Sequence, residues 1–160
     1  MKRQSLAKLA FASCAIAVSL MTAAPVFADT VSDVVGTEVS TYANNADTGF
    51  SFNLGSGGRV GTGFRRKDDS SSLYINILAY SGKPLRLYVD GAYDNNGSGW
   101  KNCTEGVYRS NHKGEWEMYN GVNESGRHAA RLTSWAESGA GSVNGVWSPD
   151  CVGHFQKLPA

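Results

Sequence analysis

Between Phe50 and Trp147 the chain alternates apolar and polar residues in short runs. Phe50, Phe52 and Leu54 are separated by Ser51 and Asn53. Leu73, Ile75, Ile77 and Ala79 are separated by Tyr74, Asn76 and Leu78, and Tyr80 closes the run. Leu85, Leu87 and Val89 interleave with Arg86, Tyr88 and Asp90, and Trp116 and Met118 with Glu115, Glu117 and Tyr119. A period of two sends successive side chains to opposite faces, which is the pattern of strands with one buried side. Weaker runs of the same kind cover 60–66, 106–111, 128–135 and 142–147. Glycine-rich turns over 55–58, 81–84, 94–99 and 138–141 punctuate them. Ser81-Gly82-Lys83-Pro84 predicts a hairpin joining the two strongest strands. Several short strands with such turns between them predict an all-β fold, a small antiparallel β-sandwich or barrel.

The start of the chain breaks this pattern. Lys2, Arg3 and Lys8 precede an apolar run from Leu9 to Met21, and Val26-Phe27-Ala28 gives a small-residue ending. That is the form of a secretory signal peptide, cleaved after Ala28. The competing reading is a retained anchor, but the run falls short of the roughly 20 apolar residues a spanning helix needs. The expected organisation is a signal over 1–28, an N-terminal arm over 29–48 that lacks an apolar stripe, and a single β-domain over 49–160. The protein is then secreted, and no stable membrane insertion is expected.

Removal of the signal changes the charge. Of 15 basic residues three lie in 1–28, leaving 12 against 14 acidic ones, so a net +1 becomes −2. A near-neutral chain without a basic stripe gives no case for nucleic acid. The one basic cluster, Arg65-Arg66-Lys67, is followed at once by Asp68-Asp69 and reads as a solvated, self-neutralising turn. Cys14 leaves with the signal, and Cys103 and Cys151 remain. An even count in an exported domain predicts one disulfide between them. Their positions are 48 apart, and closing a loop of that length is worth about 4 kcal/mol in the chain-entropy model. Two free thiols, or a metal site, are the alternatives, and two cysteines without a CxxC make a poor zinc site.

Candidate chemistry is sparse. With Asp94 as position 1, Asn96, Ser98 and Glu105 fall at positions 3, 5 and 12, the oxygen spacing of a calcium loop. The flanks read as strands rather than helices, and Lys101 stands where an apolar residue normally pins such a loop, so an Asn/Gly turn is the plainer reading. No cofactor is otherwise expected. His112, His128 and His154 form no metal motif, and no Gly-x-Ser-x-Gly elbow marks a nucleophile. Glu115 and Glu117 share one strand face instead of flanking a cleft. The aromatics say more. Tyr74, Tyr80 and Tyr88 lie opposite the apolar side of their strands, and Trp100 follows the Asn/Gly turn. Such rings either cover a core edge or stack on sugars and partner proteins.

The C-terminal third carries distinctive motifs: Val122-Asn123-Glu124-Ser125-Gly126, Ala130-Arg131-Leu132 and Gly145-Val146-Trp147-Ser148-Pro149-Asp150, with Ser70–Ile77 upstream. Together they resemble a pattern in small exported proteins of Gram-positive bacteria, in which VNExG-x3-ARL precedes GxWSPDS. The resemblance implies a secreted β-protein with links to bacteriocin or export gene clusters, and it brings no catalytic residue. Cys151 stands where that pattern has Ser, a change that a paired Cys103 explains. Physically, Pro149 ends a strand, Asp150 can accept backbone N–H groups, and Trp147 packs over the sheet end. Arg131 is placed to pair with Glu124 or Glu117. The expected function is non-enzymatic recognition of a cell-surface glycan or protein through Tyr74, Tyr80, Tyr88 and Trp100. A bacteriocin-like effector and a small extracellular hydrolase are the alternatives.

Overall fold

The computed structural model describes residues 44–160. The export signal, the cleavage site and arm residues 29–43 lie outside the described residues. Ten strands lie among those described: β1 (Thr48–Leu54), β2 (Arg59–Gly61), β3 (Arg65–Arg66), β4 (Leu73–Gly82), β5 (Arg86–Ala92), β6 (Lys101–Asn102), β7 (Tyr108–Arg109), β8 (Gly114–Met118), β9 (Ala129–Trp135) and β10 (Gly141–Ser148). The one helical element among them is a 3-10 turn at Asn123–Ser125. One sheet has the order β1-β10-β4-β8. The other runs β2-β9-β5-β6, with β3 also pairing β9 and β7 pairing β5. Every strand pair is antiparallel, and among the described residues neither sheet closes into a barrel. No helix among them is long and apolar enough to cross a membrane.

The alternation does what its period requires. Phe50, Phe52, Leu73, Ile75, Ile77, Met118, Val143 and Trp147 come inward from the first sheet. Leu87, Val89, Tyr108, Ala130 and Leu132 come inward from the second and join them in one core. Burying a large aliphatic side chain stabilises by roughly 1.5–3 kcal/mol, so this shared interior is the main reason the two sheets stay together. Trp147, expected over the sheet end, is fully buried within it, with the Arg65 guanidinium 5.3 Å from its ring centre.

Three expectations are corrected by the packing. The turn at 81–84 is not a hairpin, because β4 and β5 belong to different sheets. β4 already has β10 on one edge and β8 on the other, so no edge is left for β5, and the chain crosses over instead. Gly82, at φ +74°, makes the bend, and the Lys83 N–H donates to the Ala140 carbonyl (2.9 Å). Second, the alternation of β4 slips. Gly145 pairs with Ile77 and Asn144 with Ala79, so Leu78 is the extra residue of a bulge and stands 57 % exposed. Gly145 allows the close approach there, since a Cβ would run into the Asn76 carbonyl oxygen.

Third, the basic cluster is not a solvated turn. Lys67 is 2 % exposed. Its Nζ donates to the Ser71 carbonyl (2.6 Å), the Pro149 carbonyl (2.8 Å) and Asp150 Oδ1 (2.9 Å). Asp150 Oδ2 accepts the N–H groups of Asn44 (2.6 Å) and Asp68 (3.0 Å). Asp150 therefore does accept backbone N–H groups, and the same carboxylate ties down the end of the arm. Arg66 pairs with Asp68 at the surface, the only part of the cluster that neutralises itself locally as expected.

The disulfide is also corrected. Cys103 and Cys151 are both free. Cys103 is buried after β6, its Sγ 3.7 Å from both the Lys101 carbonyl and Ser125 Oγ. Cys151 follows β10, with its N–H donated to Ser71 Oγ (2.9 Å). Cys103 follows a strand of the second sheet and Cys151 a strand of the first.

Candidate functional site

One face of an antiparallel sheet packs on the core and the other meets solvent. On the second sheet the outward positions form ordered rows. Arg59 of β2 stands opposite Trp135 of β9, Trp135 opposite Arg86 of β5, and Arg86 opposite Arg109 of β7. In the rows beyond, Thr133 faces Tyr88, and Arg131 faces Asp90. Two arginines directly opposite each other repel. Here Glu137 bridges them, its Oε1 3.3 Å from Arg86 and its Oε2 3.6 Å from Arg109.

Asp90 organises the centre. Its side chain is fully buried, which is costly for a carboxylate without donors. It has four contacts. Arg131 donates through Nε (3.1 Å) and Nη2 (3.0 Å), and Thr133 through Oγ1 (2.7 Å), all to Oδ2. Arg59 Nη2 reaches Oδ1 at 3.4 Å. Gly61 leaves room for this, because a Cβ there would press on Thr133 Oγ1 and the Arg131 side chain.

Held in this way, the guanidiniums alternate with rings. Arg86 lies 5.3 Å and Arg59 5.5 Å from the Tyr88 ring centre. Arg59 lies 5.8 Å and Arg131 5.0 Å from Trp100, and Arg131 lies 4.6 Å from Phe64. All are within the range of a cation–π contact. Burial pushes the Tyr88 phenol above its ordinary value, against the opposing pull of Arg86. Trp100 nevertheless remains half exposed.

The four aromatics singled out from the sequence do not form one row. Tyr88 and Trp100 share this face. Tyr74 lies on the other sheet, packed on Phe155 (5.0 Å between ring centres) and donating to Glu115 Oε1 (2.8 Å); burial and Glu115 raise its phenol strongly. Tyr80 comes after the bulge and pairs with the buried Val143, so it leans over the core edge. Arg131 pairs with Asp90, not with Glu124 or Glu117.

Of the residues of the calcium spacing, Asp94, Asn96 and Ser98 stay together in one turn, and Glu105 points to another loop. Asp94 accepts the N–H groups of Asn96 (2.9 Å) and Ser98 (3.1 Å) through Oδ1 and the Ser98 hydroxyl (2.7 Å) through Oδ2. Glu105 turns to Gly121. No three of His, Cys, Asp and Glu gather as a metal would need among the described residues.

A hollow of about 440 Å3 lies beside Cys151, Glu117 and His154. Burial, and then the Glu117 charge, push the Cys151 thiol up to about 11. That is the opposite of an activated thiolate.

The family described as "Protein of unknown function (DUF2712)" matches residues 39–151. The chain belongs to the DUF2712 family. The DUF2712 match takes in all ten strands, the whole arginine–aromatic face and the Lys67–Asp150 pair. No curated protein and no solved structure matches the chain.

The sequence pointed to Tyr88 and Trp100 but not to Arg59, Phe64, Arg86, Asp90 or Arg131. The available signal was the polar side of β5, Arg86-x-Tyr88-x-Asp90, which puts a cation, a ring and an anion on one strand face.

Proposed function

We propose that this chain is a secreted, non-enzymatic recognition module that takes a cell-surface glycan on the outward face of its second sheet. The observation that carries the reading is the run Arg86–Tyr88–Arg59–Trp100–Arg131–Phe64, braced from beneath by the buried Asp90. Rings stack on the C–H faces of sugars, and guanidiniums present fixed donors to their oxygens. Because neighbours already hold these side chains, little rotamer freedom is lost when a ligand settles on them. The raised Cys151 thiol and the Glu115/Glu117 pair on an outer strand offer no comparable arrangement for catalysis.

The test is retention of the mature protein, Asp29 to Ala160, on purified bacterial cell walls and on a glycan array. Wild type is expected to be retained, and Trp100→Ala and Tyr88→Ala, folded by circular dichroism, to be released. Wild type that fails to bind either surface, or folded variants that bind as well as wild type, would overturn the reading. Growth inhibition by the purified protein would move it to the effector alternative.

A further inference from the structure

We infer that the glycan on this face is acidic: a polysaccharide whose carboxylates meet Arg59 and Arg86 while its rings lie on Trp100 and Tyr88. The inference rests on the recognition reading above and names the charge of the ligand.

Charge is distributed unevenly over the protein. Residues 29–160 carry 12 basic and 14 acidic side chains, a net −2. The outward face nevertheless gathers four arginines, Arg59, Arg86, Arg109 and Arg131, against the two carboxylates that touch them, Asp90 and Glu137. That leaves a local surplus of two positive charges. Asp90, moreover, lies wholly beneath the arginines and presents no anionic surface to a ligand. Arg59, with a side chain 45 % exposed, spends one nitrogen, Nη2, on Asp90 at 3.4 Å. Among the described residues its Nε and Nη1 meet no acceptor. A guanidinium with an open edge is shaped for a planar oxyanion such as a carboxylate.

The spacing favours a sugar polymer. Arg59 and Arg86 both stand opposite Trp135, from the strands on either side of it. They are therefore two strand spacings apart, about 10 Å. Between and beside them lie rings, so anion sites alternate with stacking sites. An acidic polysaccharide offers carboxylates and ring faces along one chain and can meet both kinds of site together. Protein interfaces also gather aromatic residues and arginine, but around a more apolar, fully buried centre. None of the exposed aliphatic residues, Val60, Leu78, Val107 and Val152, contributes to the ladder of rings and arginines.

The experiment titrates the mature protein with polygalacturonate, with the same polymer after reduction of its carboxyl groups, with polyglutamate and with an oligothymidylate, following tryptophan fluorescence at low and high salt. Polygalacturonate is expected to bind about tenfold more tightly than its reduced form, with the advantage shrinking as salt screens it. Arg59→Gln is expected to lose about tenfold more on the acidic polymer than on the reduced one, and Arg59→Lys to recover only part of that difference. Trp100→Ala should weaken both. Equal binding of both polymers, unchanged by Arg59→Gln but lost in Trp100→Ala, would overturn the acidic assignment while leaving sugar stacking intact. Loss of neither polymer's binding in Trp100→Ala would overturn the stacking reading itself. Polyglutamate or oligothymidylate binding more tightly than polygalacturonate would assign the face to a protein or a nucleic acid instead, as would failure of polygalacturonate to bind when either of them does. If none of the probes binds, the inference falls.

Discussion

Replacing Lys67 with methionine removes a buried ammonium and keeps most of the stem's volume. The Ser71 and Pro149 carbonyls and Asp150 Oδ1 then lose their shared donor. Removing one partner of a buried pair typically costs 3–5 kcal/mol, because the other charge stays behind unpaired. Asp150 keeps two backbone N–H groups on Oδ2, which places Lys67→Met near the lower end, about 3 kcal/mol. For a domain of this size each kcal/mol moves Tm by about 4 °C, so Tm should fall by about 12 °C.

A double-mutant cycle separates this cost from simple loss of packing. Asp150→Leu alone strands the Lys67 charge and also orphans the Asn44 and Asp68 N–H groups. Lys67→Met/Asp150→Leu leaves no unpaired charge, and its cost should fall short of the sum of the singles by about 1.5 kcal/mol or more. Thermal and urea melts of all four proteins give the cycle, provided the urea m-value stays constant. If Lys67→Met lowers Tm by less than about 4 °C, equivalent to about 1 kcal/mol, or if the two changes simply add, the pin assigned to this pair is wrong.

Mass spectrometry of natively purified, oxidised protein is expected to show two alkylatable thiols after unfolding, and reduction should not change the melting temperature. In the folded state Cys151 should be alkylated slowly at neutral pH, its rate climbing towards about 11; because its pKa is raised on folding, its contribution to stability is full below about 9 and is lost between about 9 and about 11, which melts across that range would show. Gly145→Ala sets a methyl against the Asn76 carbonyl at the β4–β10 bulge and should cost about 1–3 kcal/mol in a urea melt. Asp90→Ala leaves Arg131, Arg59 and Thr133 without their common acceptor; the arginines reach solvent and Thr133 does not, so it should destabilise by about 1–3 kcal/mol and increase quenching of the tryptophans by iodide, as Trp100 loses its fixed guanidinium neighbours.

The strands were legible because each buries every second residue. β1, β4, β5 and β8 to β10 could be read from that alternation alone. The path of the chain beyond a turn was not legible, since a hairpin and a crossover both put apolar residues inward on either side of Ser81–Pro84. The choice depended on β4 having both edges filled by β10 and β8. The slip at Leu78 escaped for a similar reason: it is set by Gly145, 67 positions later, which lets two backbones approach. The cysteine pairing was inferred from the compartment, and a compartment does not fix distance. Lys67 read as solvated because its immediate neighbours are charged, yet its partner is Asp150, 83 positions away. The site was half legible: Tyr88 and Trp100 stand out as outward rings, whereas Arg59 reaches Tyr88 across the sheet from 29 residues upstream.

Two fully buried carboxylates, Asp90 and Asp150, meet one physical demand in two ways. Asp150 sits where three segments converge, the end of the arm, the chain after β3 and the end of β10, and each supplies a donor or a backbone group to the Lys67–Asp150 pair. Its bonds run inward, to backbone and to a buried ammonium, so their effect is to close the fold. Asp90 takes its donors mainly from arginines whose far ends reach solvent. Aliphatic residues of similar volume commonly replace a buried ion pair with no loss of stability, so stability alone does not explain this charged arrangement. What an aliphatic at position 90 would not do is hold Arg59 and Arg131 flat beside Trp100. The role left for Asp90 is to order the surface above it. Changes at Asp150 should therefore alter melting without altering what the remaining folded protein binds, while changes at Asp90 should alter both.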